Sequence, residues 1–510
     1  MLIGGRNVFS KALAAAKSMF GPQDMTVGKP MSVMLKFTIP LLLGNIAQIA
    51  YNFVDSIIVG QYNGPDALSA IGVTMSIQFM FAVFFMTFGT GVSIMVSQYF
   101  GAKDKENLSK TCGQALILIL LATAFAMVLG LILSDPILRA INCPENVFQN
   151  ASTFQRIMFI GFIGMGFYNV LSGVLRGLGD STYPLIILLG CTVLNIVLAI
   201  WFVAPPEKLW GIGLGRGVAG SAWATVIAQT LSAVVCLIRL LRMKDVVTIN
   251  RASMKLTKRI VGQIVRIGVP SGIQQLIMSF SFVLVQSLIN KVVIPFNLAD
   301  GSQASYAVRN SIFVAVNTAV MRVDSVAMMP AQTFNQVAST FTGQNIGAGK
   351  IDRVMKGTRT CLAMAVGISA VVVVAILVFG ESFYRLFINA PDPLLTEKIV
   401  QVSVQMMHVM VIGYIIMAVA NTIGGVMRGA GDTMAQLFIM VATNIVIRIP
   451  LTYIMVHLSK TPEYPEGKPE VFFITMLIAF GLNVIASCVY FATGKWKTKS
   501  VVQQKLPERV

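Results

Sequence analysis

The chain has 510 residues, 55% of them hydrophobic and 12% charged, with a mean hydropathy of +0.76. Soluble domains carry about a quarter charged residues, so this composition excludes them and indicates a polytopic membrane protein. The net charge of +18 sits in short loops between apolar runs, where Lys and Arg set topology; it does not read as a nucleic-acid surface.

In chain order, residues 1–35 form a tail in which Arg6, Lys11 and Lys17 interrupt Phe9, Leu13, Ala16 and Phe20. That pattern predicts an interfacial amphipathic helix, not a signal peptide. Six apolar spans follow at 36–60, 68–100, 112–133, 154–175, 185–203 and 218–241. A basic linker at 242–263 leads to six more, at 264–293, 314–343, 361–379, 400–427, 437–457 and 472–492, and a basic tail at 495–510 closes the chain. Each run is long enough for a helix that crosses a bilayer. Most Lys and Arg lie in the first tail and in the loops after even-numbered spans, which predicts both termini on the cytoplasmic side of a bacterial inner membrane. Six scattered cysteines, Cys112, Cys143, Cys191, Cys236, Cys361 and Cys488, have no metal spacing and read as small apolar fillers.

The halves 36–241 and 264–494 match each other in three places. IPLLLGNIAQ from Pro40 parallels VPSGIQQLIM from Pro270, and Gln98, Gly101 and Ala102 parallel Gln344, Gly347 and Ala348. Arg176, Gly179 and Asp180 parallel Arg428, Gly431 and Asp432. The offset grows along the chain, so the second half has gained residues, most visibly around 292–305. An even number of spans per repeat gives both halves one orientation. The expected fold is therefore all-α, twelve transmembrane helices in two parallel-related six-helix lobes with a cavity between them.

The first span carries Asn45, Gln48, Asn52 and Asp55 at helical spacing. Such a stripe cannot face lipid and must line other helices or water. Of 21 acidic residues, only Asp55 and Asp324 lie well inside spans, and Asp55 stands roughly 22 Å along the helix from Pro40. The seventh span repeats a polar row with Gln275, Ser279, Gln286 and Asn290, read as a substrate-facing surface or as helix packing. Arg322 and Asp324 are two residues apart and point to nearly opposite faces. Candidate partners are Arg448 in the eleventh span for Asp324, or other residues of the lobe for Arg322, which favours a buried ion pair over a second ion site. His408 reads as an interior histidine, and the loops at Arg176 and Arg428 as short connections held by local charge pairing. Gly215, Gly217 and Gly220 match a dinucleotide fingerprint only as a string, since no βαβ unit surrounds them.

The run VDSIIVG at 54–60, the Gln98 segment, the paired RGxGD motifs and MRVDSVAMMP leading into GQNIGAG resemble the MATE family, the multidrug and toxic compound extrusion transporters. The resemblance implies a V-shaped cleft between lobes and export of organic, often cationic compounds in exchange for protons or sodium ions, with no other cofactor. It implies ion coupling at Asp55, with Asn195 of the fifth span and help from Asn52 or Asn169, and a hinge at Pro40. Where the family pattern adds a second carboxylate, this chain has Ala199, which leaves the coupling ion open. A monomer that meets a small-molecule substrate and lipid, and no nucleic acid, is the corresponding set of partners. A flippase for lipid-linked precursors is the alternative, and it would need a cationic cleft. The sequence has no paired-carboxylate motif, His cluster, phosphate loop or GxSxG stretch for an integral membrane enzyme.

Overall fold

The computed structural model describes residues 23–141, 143–208, 211–298, 301–388 and 392–502, apart from the side chains at 52, 53, 55, 56, 63–66, 68, 76, 208 and 387. Asn52 and Asp55 are thus on a helix whose backbone is described, while their side chains lie outside the described residues.

The described residues are helical nearly throughout, because lipid offers no partner for backbone N–H and C=O groups and a helix pairs them internally. The α-helices are α1 (Pro30–Gly101), α2 (Lys105–Ala140), α3 (Glu145–Ile160), α4 (Phe162–Gly177), α5 (Thr182–Val203), α6 (Gly217–Arg242) and α7 (Lys258–Ile289). They continue with α8 (Tyr306–Ala327), α9 (Met329–Gly347), α10 (Ile351–Phe387), α11 (Pro393–Gly429), α12 (Thr433–Met440), α13 (Ile449–Leu458) and α14 (Glu470–Ala492). Among the described residues, eleven stretches of helix are long and apolar enough to cross a membrane, and the pair α3 and α4, bent by 49°, makes a twelfth when taken as one span. The all-α class with twelve spans expected from the sequence is the observed one.

Starts and stops follow local chemistry. Pro30 and Pro393 occupy first-turn positions where no donor is needed. The carboxylates of Asp104 and Asp392 accept from Asn107 N and Leu394 N at 3.0 and 2.9 Å. Gly179, Gly349 and Gly431 take positive φ just past helix ends.

Three spans differ from a plain helix. Helical backbone runs unbroken from the first span into the second. The eighth span is two helices, α8 and α9, interrupted at Met328 just before Pro330, which has no N–H to donate. In the eleventh, Val441–Arg448 is a π-helix between α12 and α13, and the proline after Ile449 removes another donor there. The added residues near 292–305 include an antiparallel bridge between Asn297 and Gln303.

Contacts divide the chain into two compact units: residues 1–272 with 340–353 and 500–510, and residues 273–339 with 354–499. In the first, small residues let backbones meet. A Cβ on Gly89 of α1 would stand 2.9 Å from the Asn169 carbonyl of α4, and one on Gly173 would stand 2.6 Å from the Gly89 carbonyl. Phe81, Phe85, Phe159 and Phe162 fill the space beside them with ring centroids 4.9–5.4 Å apart. A segment from Gln23 to Gly28 is bound by the end of α9 and the start of α10: Gln344 Oε1 accepts from Met25 N at 2.8 Å, and Lys350 and Arg353 donate to carbonyls of Thr26, Met25, Val27 and Gly28. Its counterpart at the other end of the chain is Val501, whose N–H donates to Gln98 Oε1 at 2.7 Å. In the second unit, α11 is the central helix and contributes Met406, Met410 and Tyr414 to a core shared with Phe313, Phe472 and Phe473.

Candidate functional site

In the first unit, Pro40 lies within α1, Asn45 is half-buried and Gln48 exposed. Asn195 is fully buried, and its Nδ2 donates to Thr225 Oγ1 at 3.2 Å while the Tyr51 hydroxyl meets the same oxygen at 3.3 Å. Asn195 Oδ1 is buried with no partner. Asn169 gives its amide to the Met165 carbonyl of its own helix at 2.9 Å. Ala199, where the family pattern has a carboxylate, is fully buried among Ile58, Val203 and Ala224. Tyr51 and Thr225 were not singled out from the sequence; a hydroxyl on the apolar face of α6 and a phenol one residue before Asn52 were the available signals.

The polar row of α7 divides. Gln275 is exposed, and the Ser279 hydroxyl donates to the Gln275 carbonyl at 3.1 Å. Gln286 Nε2 donates to Asn290 Oδ1 at 2.8 Å, and Gln286 Oε1 accepts from Asn317 of α8 at 3.0 Å. The outer part of the row is thus spent on helix pairing. The buried amide is the neighbouring Gln274, whose Oε1 accepts from Arg428 at 3.0 Å and whose Nε2 donates to the Thr433 carbonyl at 3.1 Å.

The pairing expected between Asp324 and Arg448 is absent. Arg448 is 3% exposed, donates to Ser281 Oγ at 3.5 Å and lies over the Phe282 ring at 5.5 Å. Asp324 is half-buried on α8 and accepts instead from the Tyr414 hydroxyl of α11. Arg322 is exposed on the same helix. His408 is exposed, with Nδ1 2.7 Å from the Val404 carbonyl.

The two RGxGD loops are not held by local charge pairing either. Asp180 accepts from Tyr183 N at 3.0 Å and from Arg239 of α6 at 3.5 Å, and that guanidinium lies over the Tyr183 ring. Asp432 accepts from the Tyr490 hydroxyl of α14 at 2.5 Å, whereas Arg428 reaches Asn335 and Gln274. A carboxylate and a guanidinium four residues apart find better geometry on neighbouring helices than across a glycine turn.

A cavity in the second unit is lined by Met278, Met417, Met440 and Phe480, with the amides of Asn421, Gln436, Asn444 and Asn483. Gln436 Oε1 and Asn444 Oδ1 are buried acceptors without a donor. Asn444 belongs to the π-helix, where the backbone widens. Flexible thioethers and a phenyl ring adapt to varied apolar shapes, and unpaired amide oxygens favour a guest that brings N–H donors or positive charge. The sequence reading missed these residues; four amides in the last three spans were the signal. Among the described residues no group of His, Cys, Asp and Glu assembles as a metal site.

The family model MatE matches residues 40–201 and 287–454. Over 454 residues the chain is 28% identical to the probable multidrug resistance protein YoeA of Bacillus subtilis, covering 88% of this chain and 92% of that one. It is 26% identical to YpnP, another probable multidrug resistance protein of B. subtilis, covering 94% of this chain and 99% of that one. Among solved structures, a MOP superfamily transporter from Pyrococcus furiosus aligns with a TM-score of 0.80 at 23% identity, covering 94% of this chain and 98% of that one. A MATE protein solved in complex with MaL6 aligns at 0.79 and 23% identity, covering 93% and 97%. With its duplicated motifs, its twelve spans and a family match over both halves, the chain belongs to the MatE family, whose members are transporters and not enzymes.

Proposed function

We propose that this protein is a secondary active antiporter that exports organic cations or amphipathic compounds in exchange for protons or sodium ions. The observation that carries this reading is the family match over both halves of the chain; beside it, a small cavity of the second unit, with room for about one water molecule, is walled by Met278, Met417, Met440 and Phe480, with Gln436 and Asn444 as unpaired acceptors. A surface of that kind discriminates weakly by shape and favours donors and cations over anions. The relatives' names as multidrug resistance proteins support the same class of cargo. Among the described residues no Lys or Arg lines the cavity, which gives a pyrophosphate-bearing lipid no counter-charge there. The bacterial inner membrane, cytoplasmic termini and a working monomer belong to this reading, as does rocking of two lobes around the substrate.

The test is efflux of ethidium from inside-out or right-side-out vesicles under imposed pH or sodium gradients. Gradient-driven export from vesicles containing the protein, absent from empty vesicles, is the expected result. Export of a lipid-linked pyrophosphate with no movement of ethidium or tetraphenylphosphonium would overturn it.

A further inference from the structure

Asp324 sits on α8 one turn before the interruption at Met328, where its carbonyl accepts from Met328 N at 2.8 Å and Pro330 follows. Its carboxylate accepts from the hydroxyl of Tyr414. A second phenol, Tyr384 of α10, is fully buried with no hydrogen-bond partner for its hydroxyl. It belongs to the same buried core as Tyr414 and Val323. No Lys, Arg or His side chain makes an ion pair with Asp324 among the described residues. Arg448 is engaged with Ser281 and Phe282, and Arg322 projects from a nearly opposite face of α8.

A carboxylate inside a membrane span with no counter-cation is costly to keep charged, and the cheap remedies are a proton or an ion. The ligands decide between the two. One carboxylate and two phenols supply few oxygens for a metal cation, which takes about six, but they suit a proton well. We infer that Asp324, held by Tyr414 beside the core that contains Tyr384, is the site in the second unit where a proton is taken up and released during export. This inference rests on the antiport reading above and names its ion.

The proton balance is simple. One H⁺ from the aqueous phase adds to a carboxylate oxygen of Asp324 while Tyr414 stays beside the other. Loss of that proton on the other side restores the carboxylate, so one charge moves and no other bond changes.

The position also explains how the proton is felt by cargo. Tyr414, Met417 and Asn421 are spaced as i, i+3 and i+7 on α11, one face of one helix, and Met417 and Asn421 line the cavity. When Asp324 is charged it holds Tyr414, and when it is protonated that hydrogen bond weakens. The change reaches the cavity wall within two turns of the same helix and is sited beside the break between α8 and α9.

The experiment uses the full-length transporter in detergent, weakly buffered, with proton release on addition of tetraphenylphosphonium followed by a pH dye. The parent is expected to release protons, Asp324→Asn to lose that release, and Asp324→Glu to keep it with a shifted pH midpoint. Tyr414→Phe and Tyr384→Phe, which spare the carboxylate, are expected to move the midpoint by roughly half a unit or more; they carry the test if Asp324→Asn fails to fold. Parent-like release from folded Asp324→Asn, or midpoints unmoved in both tyrosine variants, overturns the proton site. Release lost only in Asp55→Asn overturns it too, as does export driven by sodium alone. A parent that exports no cationic dye instead defeats the antiport reading itself, a different result.

Discussion

Gly101 and Gln344 meet backbone to backbone: a Cβ on Gly101 would stand 1.8 Å from the Gln344 carbonyl oxygen. The contact is returned, since a Cβ on Gly347 would stand 1.9 Å from the Gln98 carbonyl. Gln98 with Gly101 and Gln344 with Gly347 are matched positions of the internal repeat, so one surface packs against its own copy. Backbone has no rotamer with which to yield, and Gly101→Ala or Gly347→Ala must push the two segments apart. Each is expected to cost about 1–3 kcal/mol, seen as a lower thermal midpoint in detergent together with slower dye export. Parent-like midpoints in both variants would show that the contact is looser than these distances require.

Arg353 fixes the segment ahead of α1. Its guanidinium donates to the carbonyls of Met25, Val27 and Gly28 at 2.7–3.1 Å, a spread of acceptors that a planar fork can reach and an ammonium cannot. Arg353→Ala is expected to free this segment, so that an endoproteinase specific for the N-terminal side of aspartate cuts before Asp24 roughly tenfold faster, the effect of about 1.4 kcal/mol, close to the lower end for charged hydrogen bonds. Arg353→Lys should fall between the two. The check is timed proteolysis with mass spectrometry of the N-terminal fragments, and identical cleavage in parent and Arg353→Ala would remove this role.

What could be read beforehand divides by the reach of the interaction. The spans were legible because lipid punishes any polar run of that length, and the repeat was legible because its Gly, Arg and Asp positions recur in order. The partners of charged residues were not. Asp324 chose Tyr414, and Arg448 chose Ser281 and Phe282, because the choice depends on which helix faces which across 90 residues of sequence in the first case and 167 in the second. The same holds for Gln274, buried where the adjacent Gln275 is exposed, a difference of one helical step that depends on rotation about the axis. The π-helix at Val441–Arg448 follows from a proline visible in the sequence, but the cavity beside it depends on side chains from four spans.

Asp180 is 1% exposed, and burial holds its carboxyl above the ordinary carboxylate range, with the Tyr183 amide and Arg239 drawing it partly back down. For an acid raised in the folded state, the contribution to stability is fully present below the unfolded pKa and is lost as pH rises through the folded one. Arg239→Ala removes a cause that lowers the value, so the folded pKa rises further and the loss begins at the same acid edge but grows over a wider window. The variant is therefore expected to be about 1–3 kcal/mol less stable than the parent at neutral pH, a figure discounted because Arg239 is 28% exposed. The gap should narrow in acid, where Asp180 is neutral in both proteins. Asp180→Asn should flatten this part of the profile. Thermal unfolding from about pH 4 to pH 8 measures it, and a gap between Arg239→Ala and parent that does not change with pH would refute the assignment.

Ala199 stands where the family resemblance implies a carboxylate. It is fully buried against Ile58, Val203 and Ala224, one turn beyond Asn195, whose amide is already engaged with Thr225. A carboxylate introduced there gains no described cation and displaces apolar contact, so it must be desolvated or take up a proton. Ala199→Asp is therefore expected to lower the yield of folded protein and its thermal midpoint, by an amount typical of an unpaired buried charge, about 3 kcal/mol or more. It should give export no new dependence on sodium. The comparison is ethidium efflux at matched protein levels with and without sodium, beside thermal unfolding of the same preparations. A stable Ala199→Asp protein whose export is stimulated by sodium would mean that Asn195, Thr225 and Tyr51 form a cation site lacking one ligand, and that the apolar packing around Ala199 gives way to it.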